Sequence, residues 1–322
     1  MEKQLISIVL PVFNEEAGIQ ATIDTLLNYV EQQEEDYELV FVNDGSKDKS
    51  ATIIKHAISQ HDNIKLVEFS RNFGHQLAIT AGLQYTKGDA VVVMDADLQD
   101  PPEVIPQMIE KWHEGYEIVY GKRMQRDGET IFKKFTAKMF YRTFRKLATI
   151  DMPLDTGDFR LMDRKAVHQL LKLHEQDPFV RGQVTWIGFR QTSVQYHRQE
   201  RLAGETKYPL SKMVKLALDG ITSFSTKPLQ FVNIFSMVPL VSGLFSLGYL
   251  IASGSYSVAS VGVTVLLFTL GLLMLSIGIL GSYLGRVLDQ VNNRPRYIVS
   301  KTAGFEERNK GIHHFTARQM NN

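Results

Sequence analysis

Hydrophobic and polar positions alternate in blocks along the first hundred residues. Residues 5–13 (Leu-Ile-Ser-Ile-Val-Leu-Pro-Val-Phe) form a nearly unbroken apolar run, closed by the polar turn Asn14-Glu15-Glu16. A run of that length bounded by turn residues predicts a buried strand. Helical spacing of apolar residues follows to about residue 33. The blocks then repeat: a strand over 37–43, a helix near 48–60, a strand over 64–70, a helix over 75–86 and a strand over 90–94. Strands alternating with helices of this size predict βαβ units, hence an α/β fold with a mostly parallel sheet. Polar clusters recur where the strands end, at 14–16, 43–48, 71–75 and 95–100. In an open parallel sheet those ends share one side, so the clusters are expected to converge on a single crevice.

After residue 105 the pattern is less regular. Residues 117–121 predict a further strand leading into Lys122-Arg123, and 130–148 a basic amphipathic helix. Another amphipathic helix is expected over 209–224, where Leu210, Met213, Leu216, Ile221 and Phe224 fall near helical spacing with Lys212 and Lys215 between them. Residues 228–285 contain no Asp, Glu, Lys or Arg. One membrane span needs only about 20 apolar residues, and Ser253-Gly-Ser-Tyr-Ser257 divides the run into two expected spans, near 229–252 and 258–284. Pro239 lies in the first; Gly271, Gly278, Gly281 and Gly285 in the second favour close helix packing. Lys207, Lys212, Lys215 and Lys227 precede this hairpin, and Arg286, Arg294, Arg296 and Lys301 follow it. Positive charge on both flanks predicts a multi-pass protein with both termini in the cytoplasm. The helix before the hairpin is expected in the interface, its lysines facing anionic lipid. The predicted organisation is a cytoplasmic α/β domain over 1–205, an interfacial helix over 206–227, two spans within 228–285 and a cytoplasmic tail over 286–322.

Composition narrows the functional classes. The 322 residues carry 36 basic and 35 acidic side chains, net +1, so no strong field argues for nucleic acid. Cysteine is absent, which removes disulfides, thiolate metal sites and a cysteine nucleophile. The start, Met1-Glu-Lys-Gln, passes directly into a strand-like run too short for a signal peptide, so the first domain is expected to stay in the cytoplasm.

Candidate chemistry sits at the strand ends. In Asp95-Ala-Asp97-Leu-Gln99-Asp100, two carboxylates and an amide oxygen can bind one hard divalent cation, Mg2+ or Mn2+, shared with substrate phosphates. Alone, the same pattern also describes a capped, solvated turn. Asn43-Asp44-Gly45-Ser46 offers an acid for a base N–H or a ribose hydroxyl, and equally a turn with a helix N-cap. Pro11-Val-Phe-Asn14-Glu15-Glu16 is ambiguous in the same way.

Taken in order, these segments resemble the inverting family-two glycosyltransferases of the GT-A fold, a Rossmann-like nucleotide-sugar-binding domain. A narrower resemblance is to the polyprenyl-phosphate glycosyltransferases, which include bactoprenol glucosyltransferases and dolichyl-phosphate mannose synthases. It is carried by Ser70-Arg-Asn-Phe-Gly74, Asp97-Leu-Gln-Asp-Pro-Pro102, Thr156-Gly-Asp-Phe-Arg-Leu161, Arg201-Leu-Ala-Gly-Glu-Thr-Lys-Tyr208 and the two-span anchor. The resemblance implies a nucleotide-sugar pocket lined by Pro11, Asn14, Glu15, Asp44 and Arg71, with Asp95 beside it. It implies a metal held by Asp95, Asp97 and Gln99, and Asp158 as a catalytic base or an acceptor-orienting group beside the catalytic Asp97. Arg123, Arg160, Arg201 and Lys207 are expected around the lipid phosphate and diphosphate, because phosphate recognition favours guanidinium forks. His75, His168, His197 and the pair His313-His314 show no metal-ligand spacing and are expected as surface or supporting residues.

The reaction implied is transfer of a hexose or N-acetylhexosamine, from UDP-glucose or UDP-N-acetylglucosamine, to polyprenyl phosphate at a bacterial plasma membrane. A homo-oligomer such as a tetramer and a downstream flippase are expected by the same resemblance. A processive polysaccharide synthase is the nearest rival, but its Gln-x-x-Arg-Trp segment is missing; Trp186 sits in Val-Thr-Trp-Ile. A non-catalytic nucleotide-sugar sensor would be told apart by binding without turnover.

Overall fold

The computed structural model describes residues 3–124, 156–176, 178–197, 257–292 and 294–305. The basic helix expected over 130–148, the interfacial helix over 206–227, the first span over 229–252, and Arg201 and Lys207 lie outside the described residues.

The opening blocks become β1 (Leu5–Val12), α1 (Ile19–Val30), β2 (Asp36–Asn43), α2 (Ser50–Ile58), β3 (Ile64–Phe69), α3 (His75–Tyr85) and β4 (Ala90–Val93). There follow α4 (Ile105–His113), β5 (Ile118–Arg123), β6 (Thr156–Asp163), α5 (Arg164–Leu171), α6 (Val180–Trp186) and β7 (Gln191–Tyr196). A long helix α7 (Val258–Val291) and a strand β8 (Val299–Ala303) complete the described chain. The eight strands form one sheet in the order β7-β5-β6-β4-β1-β2-β3-β8.

Alternation along β1 explains the layers. Ile6, Ile8, Leu10 and Val12 pack with residues of α1, α2 and α4 on one face, while Val9 packs with Ile79 and Leu83 of α3 on the other. Gly82 lets α3 lie close, because a Cβ there would strike Val9 Cγ1 and come within 3.2 Å of Val42 Cγ2. Charge at the amino end of the strands is buried but fully matched: Glu38 accepts from Ser7 Oγ at 2.5 Å, Lys87 N at 2.5 Å and Lys65 Nζ.

Strand order locates the crevice. β1 pairs in parallel with β2 on one side and β4 on the other, so the chain changes direction between β1 and β4. Outside the carboxyl ends of such strands a ligand site opens. Pro11 marks the place. The Val9 carbonyl accepts from Met94 N, so Val9, and Pro11 two residues on, face β4. β4 pairs with β1 only as far as Val9, so the N–H that Pro11 lacks falls beyond the ladder and costs no sheet hydrogen bond.

The sheet is parallel except at two strands. β6 runs antiparallel between β4 and β5, and β8 antiparallel to β3. Because β6 pairs Arg160 with Val93, its start lies against the end of β4, and Asp158 is carried beside Asp95.

The helix that holds the second expected span continues to Val291, and β8 lies within the 286–322 segment. A 34-residue helix is about 51 Å long, more than the ~30 Å hydrocarbon core, so its hydrogen bonding continues past Arg286. β8 forms because β3 would otherwise present an open edge. Within α7, Phe268–Gly285 is long and apolar enough to cross a membrane, and none of that window is buried in the protein. Leu266, Phe268, Leu270, Leu273, Ile277, Leu280 and Leu284 are each at least half exposed. It is one such helix among the described residues; the two-span hairpin is not shown.

Candidate active site

The loops after β1 and β2 are stitched together by side chains that cap backbone donors. Asn14 N donates to Ser46 Oγ at 2.9 Å, Asn14 Oδ1 accepts from Lys47 N at 2.9 Å, and Glu15 N donates to Ser50 Oγ at 3.0 Å. Asn14 itself has φ 54°, a left-handed conformation that Asn tolerates better than most residues. The Pro11–Glu15 and Asp44–Ser46 segments thus form one wall at the switch point.

Asp44 does more than line this wall. Only 3% exposed, its carboxylate accepts from Phe73 N at 2.7 Å, Gly74 N at 3.0 Å and Asn72 Nδ2 at 2.9 Å. It therefore holds the loop 70–74 that joins β3 to α3. Burial raises its pKa, against the pull of the Phe73 and Gly74 N–H groups. Arg71 stands exposed on this loop, its guanidinium 4.0 Å from the Phe73 ring centroid.

Gly45 is the residue that permits the approach. Its φ is +69°, and a Cβ would overlap the Arg71 carbonyl carbon and lie 2.5 Å from Asn72 N. Gly45→Ala is expected to cost about 1–2 kcal/mol in stability from the left-handed backbone alone, and more where the Cβ forces the two loops apart. A thermal scan of the purified chain checks the figure; an unchanged midpoint would mean that the two loops need not touch.

The acidic cluster follows β4. Asp95, Asp97 and Gln99 are partly exposed, whereas the intervening Ala96 and Leu98 are buried. Leu98 has φ 54°, strained for a branched residue, and Gln99 N donates to Asp97 Oδ1 at 3.1 Å. Thr22 Oγ1 ties the turn to α1 by donating to Ala96 O at 2.7 Å.

Three elements then meet on Asp158, which is 7% exposed. Arg181, in the first turn of α6, grips it with Nε at 2.8 Å and Nη2 at 3.0 Å. His75, the first residue of α3, places Nε2 3.2 Å from Asp158 Oδ2 and 3.6 Å from Asp95 Oδ1. Gln76 Oε1 accepts from Val180 N at 2.9 Å, fastening α3 to α6. Burial alone would raise the Asp158 pKa, but the Arg181 charge and the His75 hydrogen bond hold it well below the usual carboxylate range. Burial would likewise lower His75, yet the Asp158 hydrogen bond and the Asp95 charge raise it to about 9. Asp95 is pushed up to about 6 by burial, with His75 opposing and the Asp100, Asp158 and Asp97 charges adding to the rise.

The expected cations separate. Arg123, at the end of β5, donates to Tyr196 Oη at 3.2 Å, and its Nη2 lies 3.8 Å from Asp100. Tyr196 Oη in turn donates to Asp100. Arg123 is partly exposed and borders the site. Arg160 is 4% exposed and donates to Gly157 O at 2.9 Å and Asp158 O at 3.3 Å. Lying inside the sheet, it satisfies carbonyls at the strand start. Arg201 and Lys207 are outside the described residues.

Arg181 escaped the sequence reading, while His75, expected only as a surface or supporting residue, takes a supporting place. His75 carried no metal spacing, and its only signal was its place directly after the Arg-Asn-Phe-Gly loop. Arg181 carried a weaker one, a lone guanidinium between Val180 and Gly182 in an otherwise apolar stretch.

Residues 7–171 match the family described as Glycosyl transferase family 2. The Bacillus subtilis (strain 168) protein called "Uncharacterized glycosyltransferase YkcC" is 52% identical over 308 residues, 94% of this chain and 95% of its own. The "SfII prophage-derived bactoprenol glucosyl transferase" of Shigella flexneri is 40% identical over 304 residues, 92% of this chain and 98% of its own. Among solved structures, mannosyl-3-phosphoglycerate synthase from Rubrobacter xylanophilus has a TM-score of 0.48 at 19% identity, covering 68% of this chain and 73% of that one. Matched through its α/β domain and aligned over nearly its whole length with proteins of that kind, the chain belongs to glycosyltransferase family 2 and is a glycosyltransferase.

Proposed function

We propose that the chain transfers a hexose or N-acetylhexosamine from a nucleotide sugar, UDP-glucose or UDP-N-acetylglucosamine, to a polyprenyl phosphate at a bacterial plasma membrane. One observation carries this reading: Asp95, in the turn after β4, and Asp158, in β6, meet through His75 at the carboxyl edge of the sheet, beside the half-exposed Asp97 and Gln99. The apolar α7 and the likeness to bactoprenol glucosyl transferases support a membrane-held acceptor.

The nucleotide is assigned to the wall formed by Pro11–Glu15, Asp44 and Arg71. The donor set also fits a cation. Asp95, Asp97 and Gln99 are hard oxygen ligands, each partly exposed in the turn after β4, suited to Mg2+ or Mn2+. Among the described residues no three His, Cys, Asp or Glu side chains are assembled for a metal, so the donor diphosphate is expected to complete the shell. When bound, the ion offsets charge on the departing nucleotide.

Asp158 is read as a positioning group rather than a base. A carboxylate held so acidic by Arg181 and His75 is a poor proton acceptor. A phosphate monoester, with its second pKa near 6, is largely a dianion at neutral pH and needs little deprotonation. Asp158 instead orders Arg181 and His75 beside the sugar, while Arg123, Arg201 and Lys207 are assigned to the lipid phosphate. The phosphate oxygen attacks the anomeric carbon as the nucleoside diphosphate leaves from the opposite side, giving inversion. Two spans, cytoplasmic termini, a homo-oligomer and a downstream flippase belong to the same reading.

The test is turnover by the full chain in detergent with undecaprenyl phosphate, Mn2+ or Mg2+, and a panel of UDP- and GDP-sugars. Lipid-linked sugar from one donor, lost with EDTA, is expected. Tight nucleotide-sugar binding with no lipid product across the panel would sink the reading in favour of a sensor.

A further inference from the structure

We infer that Tyr297, a residue beyond the membrane helix and far outside the stretch matched to the family, positions the donor pocket by bracing loop 70–74. The inference rests on the assignment of the nucleotide to Asp44 and Arg71.

The contacts form an unbroken chain. The Tyr297 ring stacks on Phe69, the last residue of β3, with centroids 5.0 Å apart and planes at 19°. Phe69 meets Phe73 edge to face at 5.6 Å. Phe73 carries the Arg71 guanidinium on its ring, and its own N–H donates to Asp44. The neighbour of Tyr297 acts on the backbone as well: Ser70 N donates to Ile298 O at 2.9 Å. The Tyr297 hydroxyl anchors the ring to α3 by donating to Gln84 Oε1 at 2.5 Å.

Geometry makes this bracing local. β8 pairs with β3 in register from Leu66 to Glu68, and the register slips between Glu68 and Phe69, where the strand releases into the loop. Tyr297, Val299 and Phe305 pack with Phe73 and Tyr85 against a small cluster formed by Val40, Val42, Val67, Phe69, Ala78 and Ala81. A loop of exposed Ser70, Arg71 and Asn72 cannot hold Arg71 in place by its own burial. The aromatic stack supplies the support, and it comes from a segment that begins soon after α7 ends at Val291.

The experiment compares wild type, Tyr297→Ala and Tyr297→Phe as full chains in detergent, using UDP with Mn2+ as the probe. Tyr297→Ala is expected to raise the UDP Kd and the donor KM roughly three- to tenfold, the worth of one aromatic pair, with the acceptor KM unchanged. Tyr297→Phe keeps the stack and is expected to bind within about twofold of wild type. Hydrogen exchange at Phe73 N and Gly74 N should quicken in Tyr297→Ala, while protection in β1 and β2 stays the same. Unchanged UDP binding in Tyr297→Ala, or protection lost equally through β1 and β2, overturns the inference. If Tyr297→Ala does not fold, Tyr297→Leu is judged by the same two readouts. A wild type that binds no UDP refutes the donor-pocket assignment instead.

Discussion

Asp97→Ala is expected to reduce transfer by about a thousandfold or more while leaving the fold intact. The side chain is half-exposed at a strand end, so its removal opens no cavity in the core. What is lost is one of two carboxylates assigned to the cation, and a Lewis acid at a departing diphosphate is worth several kcal/mol, each 1.36 kcal/mol being tenfold in rate. Wild type treated with EDTA should fall to the same floor, and added Mn2+ should rescue wild type but not the variant. Steady-state kcat with and without chelator, beside a thermal scan, decides it. Full activity of Asp97→Ala, or of metal-free wild type, would remove the cation from the mechanism.

The second large effect is on stability. Arg181→Ala leaves the nearly buried Asp158 without its two-point partner. Breaking a buried pair from one side costs about 3–5 kcal/mol, because the remaining charge is uncompensated. Arg181→Ala combined with Asp158→Asn should recover part of that loss, since a neutral amide at this site carries no uncompensated charge. The pH dependence has a definite sign. Asp158 has a depressed folded pKa, so its contribution is fully present above the unfolded value, about 3.9, and is lost as pH falls through the folded value. Without Arg181 the acid limb of stability should therefore move to higher pH. Thermal midpoints of the single and double variants across pH 3–8 measure this. An Arg181→Ala protein as stable as wild type would mean that His75 alone suffices for Asp158.

Much of this architecture was legible in the chain. The continuous apolar and helical blocks of residues 5–94 encode local structure directly, because burial on both faces demands continuous apolar strands and each helix must show one apolar side. Polar punctuation at the strand ends announced the crevice, and a charge-free segment announced α7, since no water-facing helix of that length is apolar all round. The turn Asp95–Asp100 was legible as a polar break directly after β4, which is where the structure places it.

What periodicity cannot encode is which distant segments pair. The antiparallel register of β6, with Arg160 opposite Val93, is what sets Asp158 beside Asp95 and turns Arg160 inward, and spacing along the chain holds no record of it. Arg181 and His75 gained their roles only when α6 and α3 met over that strand. β8 looked like polar tail because a five-residue edge strand with three consecutive exposed polar positions has too little pattern to stand apart from a loop. Local sequence determined the elements and the chemistry at their ends; long-range pairing, whose free energy exists only once the sheet is assembled, decided which of those groups became neighbours.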